Sequence, residues 1–476
     1  MLSAGVARSD ITPPIGIGHA GWGAQVHQRA VGVDLPLWAT ALAISDGREI
    51  FVIIDVDAMY LFEKEAAAVL DAVAKLTKLP ETHIRLSYTH THSGPLSGTA
   101  WSAWMQEGPE MIAAYDEGLQ HKAAGVAWAA INALEPVRIG AGRGSSGIGI
   151  NRRMQRPEDG RVIVGRNPTG PIDPEVQVVR IDTIDGRPLA TLVNYACHPI
   201  TVGPDCDLIT PDYPGAMKRV VEQATGSTCM FLQGAAGDIG PIRGGASGGI
   251  HEYRRLGSIL GHEVSRIWWE TEVPQRTECY IGTLESGAPL AMYSEQPAEE
   301  PDRFLRVCTR VTALPTREVG DPDTLAAEFA HHIAELGRLR DHQASESVIR
   351  EQTMLAKRTG MREGLARSVT HQPHRNVTFQ GLALGPDIAL IAIAAEPFSE
   401  IGRRVKDASP FPYTLFSGYS NVGWAYMPTA DAYPLGGYEV EVSPFAPDAA
   451  NQTIRASLEM LHELRNGSIG DPDHDV

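Results

Sequence analysis

Cysteine is scarce: five among 476 residues, Cys197, Cys206, Cys229, Cys279 and Cys308. The number is odd and no two stand in a Cys-X-X-Cys spacing. Neither a disulfide framework nor a thiolate zinc site is therefore signalled, and a reducing compartment is expected. No window approaches the ~18 uninterrupted apolar residues of a membrane span. The opening Met1-Leu2-Ser3-Ala4-Gly5-Val6-Ala7 has neither a basic region nor an apolar stretch of signal-peptide length, and Ser9-Asp10-Ile11-Thr12-Pro13-Pro14 follows at once. The expectation is a chain that starts inside its fold and is cytoplasmic. Long acidic runs are missing too, although the formal net charge is −17 and the pI about 5.4. An acidic surface argues against nucleic acid or an anionic membrane as partner and fits a neutral or cationic small substrate.

The length permits about three domains by size alone, and 43% hydrophobic residues suffice for a large core. There are no repeats. Residues 37–46 and 50–57 read as apolar strands around the Asp46-Gly47 turn, and 62–76 as an amphipathic helix before the strand that delivers His90. Residues 178–181 and 189–195 are expected to pair across Asp185-Gly186, with the second strand running into Cys197-His198-Pro199. A helix over 211–225, a buried strand over 229–232, a glycine-rich loop over 234–249 and a helix from about 251 to 269 follow. The longest polar helical segment, about 322–367, is read as a surface insertion, a hairpin broken at Thr359-Gly360. Residues 1–465 are taken as one catalytic domain and 466–476 as a polar, frayed tail. Alternating strands and helices mean an α/β plan, with mixed β-sheets and helices outside.

The most informative stretch is Leu86-Ser87-Tyr88-Thr89-His90-Thr91-His92-Ser93-Gly94-Pro95. Side chains alternate along a strand, so His90 and His92 share one face, and Ser93-Gly94-Pro95 end the strand at once. Both rings are left at a strand-to-loop edge, the geometry of a metal ligand beside an acid/base group. With 16 histidines in the chain, such a pair alone could equally be packing. Other chemistries fit less well. Gly245-Ala246-Ser247-Gly248-Gly249 matches the Gly-X-Ser-X-Gly nucleophile elbow, but no strand feeds straight into the serine. A metallo-β-lactamase site would continue the His-X-His with Asp-His, where this chain has Ser93-Gly94. An amidohydrolase barrel usually carries its His-X-His on the first strand, and two strands and a helix precede it here.

A set of motifs, in order along nearly the whole chain, resembles the neutral/alkaline non-lysosomal ceramidases, a family of zinc amidases. They are the Asp-Ile-Thr stretch within 5–23, Thr89-His90-Thr91-His92-Ser93-Gly94-Pro95, Asn151-Arg152, His198 past a strand end, the loop 234–241, Ala395-Glu396-Pro397-Phe398, and the block from Ser420-Asn421-Val422 through Tyr426 to Tyr438-Glu439. The resemblance implies a neutral-ceramidase-like catalytic domain with one zinc held by His90, His198, Glu396 and Tyr426. It implies His92, Arg152 and Tyr438 as working groups that do not bind the metal. Those residue types suit the task. Imidazoles, a carboxylate and a phenolate leave room for water on a catalytic zinc. A further imidazole can take and return a proton, while a guanidinium and a phenol stabilise an oxyanion. Each has an ordinary alternative: His198 as a satisfied core histidine, Glu396 paired with an arginine, the tyrosines as packing aromatics, Arg152 as a surface residue. Their joint order favours the site.

Two departures bear on substrate. Gly240 stands where the family loop has serine, and the chain stops where typical ceramidases continue into an immunoglobulin-like domain. With no basic or strongly apolar surface segment evident, the expected substrate is a small, soluble N-acyl compound, cleaved at its amide bond, with no stable membrane association and oligomeric state open. The alternatives are ceramide itself, an ester at the same site, or a metal-binding protein without catalysis.

Overall fold

The computed structural model describes residues 1–19, 21–25, 27–98, 103–245, 248–273, 276–298, 303–423 and 425–467. Residues 468–476, most of the expected tail, and Ala246-Ser247 of the serine motif lie outside them.

The apolar runs 38–45 and 50–56 form antiparallel strands Trp38–Ser45 and Ile50–Val56, with Leu42 opposite Ile53. They lie in an eight-stranded mixed sheet whose edges are Thr228–Gln233 and Ile84–Tyr88. Its two halves meet only through Ser3↔Pro136 and Ala4↔Glu135. So narrow a seam lets the sheet fold back, until Phe231 N–H at one edge donates to Asp55 Oδ2 near the other, at 3.0 Å. The inner faces of both halves, through Leu42, Phe51, Val179 and Leu192, share one core with Leu382, Leu390 and Leu415 of a second, four-stranded sheet. Helices lie outside. Glu63–Thr77 and Ile112–Asn132 cover the first half of the large sheet, Asp212–Thr225 and Ile250–Glu270 the second, and Ser399–Asp407 and Ala449–Asn466 the small sheet. The mixed-sheet α/β plan read from the alternation is the plan observed.

The pairing expected across Asp185-Gly186 is present, with Val178 opposite Val193 and Gly186 at φ +87° in the turn. The long helical segment is a hairpin, but it breaks elsewhere than at Thr359-Gly360. Its helices are Pro322–Asp341 and Glu346–Val369, the first capped by the Asp321 carboxylate on Thr324 N–H at 2.8 Å. Gly360 lies inside the second helix because the helices touch there: a Cβ would stand 2.9 Å from the Phe329 ring. Nor is the hairpin only a surface insertion. Lys357 Nζ donates to Trp22 O and Gln25 O, 3.1 and 2.6 Å away, and lies 3.7 Å from the centre of the Trp104 ring. A second correction concerns the surface. The hairpin of strands Arg276–Leu284 and Leu290–Pro297 exposes six large apolar side chains, which the absence of a long apolar run in the sequence did not suggest.

Candidate metal and catalytic site

His90 is delivered by the edge strand Ile84–Tyr88, whose free side is covered by the strap 419–421: Tyr88 N–H donates to Tyr419 O and Asn421 N–H to Leu86 O. The chain turns at His90 with φ +68°, a costly conformation for a side-chain-bearing residue that is retained where surroundings over-determine it. Here they do. His90 N–H donates to Ala58 O at 2.9 Å and its Nδ1 to Met59 O at 2.8 Å. His198 follows the strand Pro188–Tyr195, and its Nδ1 donates to Ala236 O at 2.8 Å. His92 Nδ1 donates to Gly21 O at 2.7 Å. That approach requires glycine, since a Cβ at position 21 would stand 2.3 Å from His92 O.

Carbonyl oxygens only accept, so all three rings carry their proton on Nδ1 and present a bare Nε2. The three Nε2 atoms converge: His90 is 3.1 Å from His198 and 3.2 Å from His92. Lone pairs at such separations repel, and no hydrogen bond among them relieves it. Burial deepens the preference for neutral rings, lowering His90 and His198 well below the ordinary value and His92 to about 4.

Glu396 begins the two-residue strand Glu396–Pro397, which pairs in parallel with Tyr426–Met427 so that Glu396 and Tyr426 are register partners. Glu396 Oε2 lies 3.6 Å from His90 Nε2 and 3.5 Å from His198 Nε2, and has no hydrogen-bond partner among the described residues. Burial pushes its pKa up to about 8 against the pull of Arg152. Tyr426 Oη is 3.4 Å from His198 Nε2. A buried carboxylate oxygen without a donor, facing bare imidazole nitrogens, is the donor set a divalent cation fits.

Arg152, on the strand Gly149–Gln155, lies with its guanidinium 5.2 Å from the Tyr426 ring centre, and the Tyr438 ring stands edge-on to Tyr426 at 5.6 Å. All seven residues singled out in the sequence thus gather at one place, with Tyr438 at its partly open rim. His92 is as close to His90 as His198 is, which the motif order does not reveal.

Other contributors were given no role in the sequence reading. Glu439 is buried between two arginines, accepting from Arg152 Nε at 2.9 Å and Arg153 Nη1 at 2.8 Å. The neighbouring pairs Arg152-Arg153 and Tyr438-Glu439 were its only signal. Arg152 Nη2 keeps no hydrogen-bond partner among the described residues. Tyr419 lies on His90 with ring centres 4.3 Å apart, and Trp22 stands 5.7 Å from His92. At Gly240 a Cβ would meet Arg152 Cβ at 3.5 Å, ordinary contact, so a serine there would fit beside the arginine stem.

Residues 2–247 match the sequence profile of the neutral/alkaline non-lysosomal ceramidase family, N-terminal region. The neutral ceramidase of Pseudomonas aeruginosa is 23% identical over 494 aligned positions, covering 97% of this chain and 72% of that protein. The crystal structure of neutral ceramidase from that organism superposes with TM-score 0.65 at 19% identity, over 98% of this chain and 75% of the other. A ceramidase solved in complex with C2 does so equally, with TM-score 0.65 at 17% identity and the same coverage. At those identities the structures speak for the fold, while the profile spans more than half the chain: the protein belongs to the neutral/alkaline non-lysosomal ceramidase family.

Proposed function

We propose that this protein is a zinc-dependent hydrolase that cleaves the amide bond of a small, soluble N-acyl compound. Membership of a ceramidase family supports amide hydrolysis as the reaction class. The observation that carries the metal is the convergence of bare Nε2 atoms on a carboxylate oxygen with no partner. His90, His198, Glu396 and Tyr426 would hold the zinc. When bound, it supplies Lewis acidity that brings deprotonation of water toward pH ~7.

The remaining roles follow from this chain's own groups. His92 is neutral at pH 7, and its Nδ1–H is tied to Gly21 O, so Nε2 is free to accept the proton of the attacking water and return it to the leaving amine. Glu439 fixes Arg152 through Nε, leaving Nη2 as an uncommitted donor for the oxyanion of the tetrahedral intermediate. Tyr438, edge-on to Tyr426, supplies a second donor from the rim.

The soluble-substrate reading rests on the acidic chain, the lack of a basic docking segment, and Gly240, which removes a hydroxyl beside Arg152. The test is kcat/KM for a short-chain N-acyl compound against long-chain ceramide in vesicles, in the same buffer and zinc. Preference for the soluble compound is expected. Preference for the vesicle substrate would make the protein a ceramidase in the strict sense.

A further inference from the structure

The loop 21–25 supplies the carbonyl that fixes His92, and its own hold on that peptide is thin. His92 Nδ1–H donates to Gly21 O at 2.7 Å, while the N–H of the same peptide, on Trp22, reaches Gln25 Oε1 at a long 3.4 Å. A peptide free to turn would carry Gly21 O away. The His92 proton would then be shared with Nε2, the nitrogen that must stay bare to accept from water. The next carbonyl along the chain is held from outside. Trp22 O and Gln25 O point to one spot, where Lys357 Nζ of the helix Glu346–Val369 donates to them at 3.1 and 2.6 Å. The Trp104 ring closes over that nitrogen at 3.7 Å, and Arg340 of the partner helix Pro322–Asp341 donates to Trp104 O at 3.1 Å. No carboxylate pairs with Lys357 among the described residues, and burial alone lowers its pKa to about 7. An amine and an ammonium both carry the two N–H bonds that two carbonyls need, so the clamp holds in either state.

We propose that Lys357 is a positioning residue for His92: by holding Trp22 O and Gln25 O it keeps Gly21 O aimed at His92 Nδ1, and so keeps Nε2 bare. This role rests on His92 accepting the proton of the attacking water, as proposed above. It gives the helical hairpin a part in the chemistry without contact to substrate. The neighbouring Arg358 provides the contrast. It pairs with Glu441 of the short helix Tyr438–Glu441 at 3.0 Å, but both side chains are exposed, where such a pair contributes little.

The experiment compares Lys357→Met, which removes the donors and keeps the stem, with Lys357→Arg, which restores a donor, and with Arg358→Ala. Two quantities are read on purified protein in zinc-containing buffer. One is kcat and KM for a short-chain N-acyl compound. The other is the His92 tautomer, from two-bond proton–nitrogen spectra of protein labelled with 15N at histidine and assigned by the signals that His92→Ala loses. Wild type, Lys357→Arg and Arg358→Ala are expected to carry the proton on Nδ1. Lys357→Met is expected to show both tautomers, with kcat lower by about ten- to a hundredfold and KM and zinc content unchanged. A wild-type tautomer in Lys357→Met, or an equal effect in Arg358→Ala, overturns the proposal. A shifted tautomer with undiminished kcat upholds the clamp and overturns His92 as the base, so the two failures are told apart. Where Lys357→Met does not fold, Lys357→Gln, too short to reach both carbonyls, is read in the same way.

Discussion

Two clusters of buried ionisable groups grow from neighbouring strands of the large sheet, and they are satisfied in opposite ways. Asp55 and Asp57, at the end of Ile50–Val56, close on Lys218 of the helix Asp212–Thr225, whose Nζ lies 2.7 and 2.9 Å from their oxygens. Burial works against the Lys218 charge, but the two carboxylates outweigh it and hold its pKa above the ordinary value. His90, past the end of the adjacent strand, meets His92, His198 and Glu396, and there the nearest cation, Arg152, is paired with Glu439, while Glu396 Oε2 has no hydrogen-bond partner among the described residues. The first cluster holds its counter-charge in Lys218, although Asp55 Oδ1 accepts no hydrogen bond among the described residues, and serves the fold. The second leaves a carboxylate oxygen facing bare imidazole nitrogens, and that difference is the physical reason for proposing a metal there.

The comparison breaks first if the closed cluster proves dispensable. Lys218→Met strands two carboxylates in the interior, and the expected cost is about 3–5 kcal/mol of unfolding free energy by urea titration. The folded fraction should retain its metal. A cost within experimental scatter would mean the triad contributes nothing that sets it apart from the histidine cluster. The open cluster should answer in activity instead. His92→Ala is expected to keep zinc and lose on the order of a hundredfold or more in kcat. Loss of zinc from that variant would move His92 among the ligands, as its 3.2 Å separation from His90 allows. Tyr438→Phe should act in the same direction by less, within ~10²-fold and mainly in kcat, because Arg152 still donates.

A further effect concerns stability of the metal-free protein. The folded pKa of Glu396, about 8, stands above its ordinary 4.5, so the folded state holds an extra proton between those values. Its contribution is therefore complete below pH 4.5 and lost as pH rises through 8. Stripped of metal, wild type should lose stability relative to Glu396→Gln between pH 5 and pH 8, read by urea titration at each pH. Parallel curves for the two proteins would show that the carboxylate is not buried alone.

What the sequence revealed was whatever is local. The strands Trp38–Ser45 and Ile50–Val56 and the helix Asp212–Thr225 follow from periodicity, whereas His90 and His92, expected to share a strand face, lie past the strand end at Tyr88 and meet through the turn at His90, φ +68°. That His198, Glu396 and Tyr426 arrive at the same point came from the order of motifs, since contacts across 108 residues and more have no local signature. Glu439 was missed because its meaning lies in arginines 286 and 287 positions away. Gly360 misled because a glycine that permits close helix packing looks, in sequence, like one that ends a helix. The exposed apolar hairpin escaped because its side chains alternate with small and polar ones.

The central claim is that the histidine cluster owes its completion to a metal ion, and elemental analysis of purified protein tests it most directly. Wild type is expected to hold about one zinc per chain. His198→Ala, which removes an Nε2 that Ala236 orients, should hold little or none while remaining folded. Wild type free of zinc after purification in zinc-containing buffer, or His198→Ala with undiminished zinc, would contradict the account.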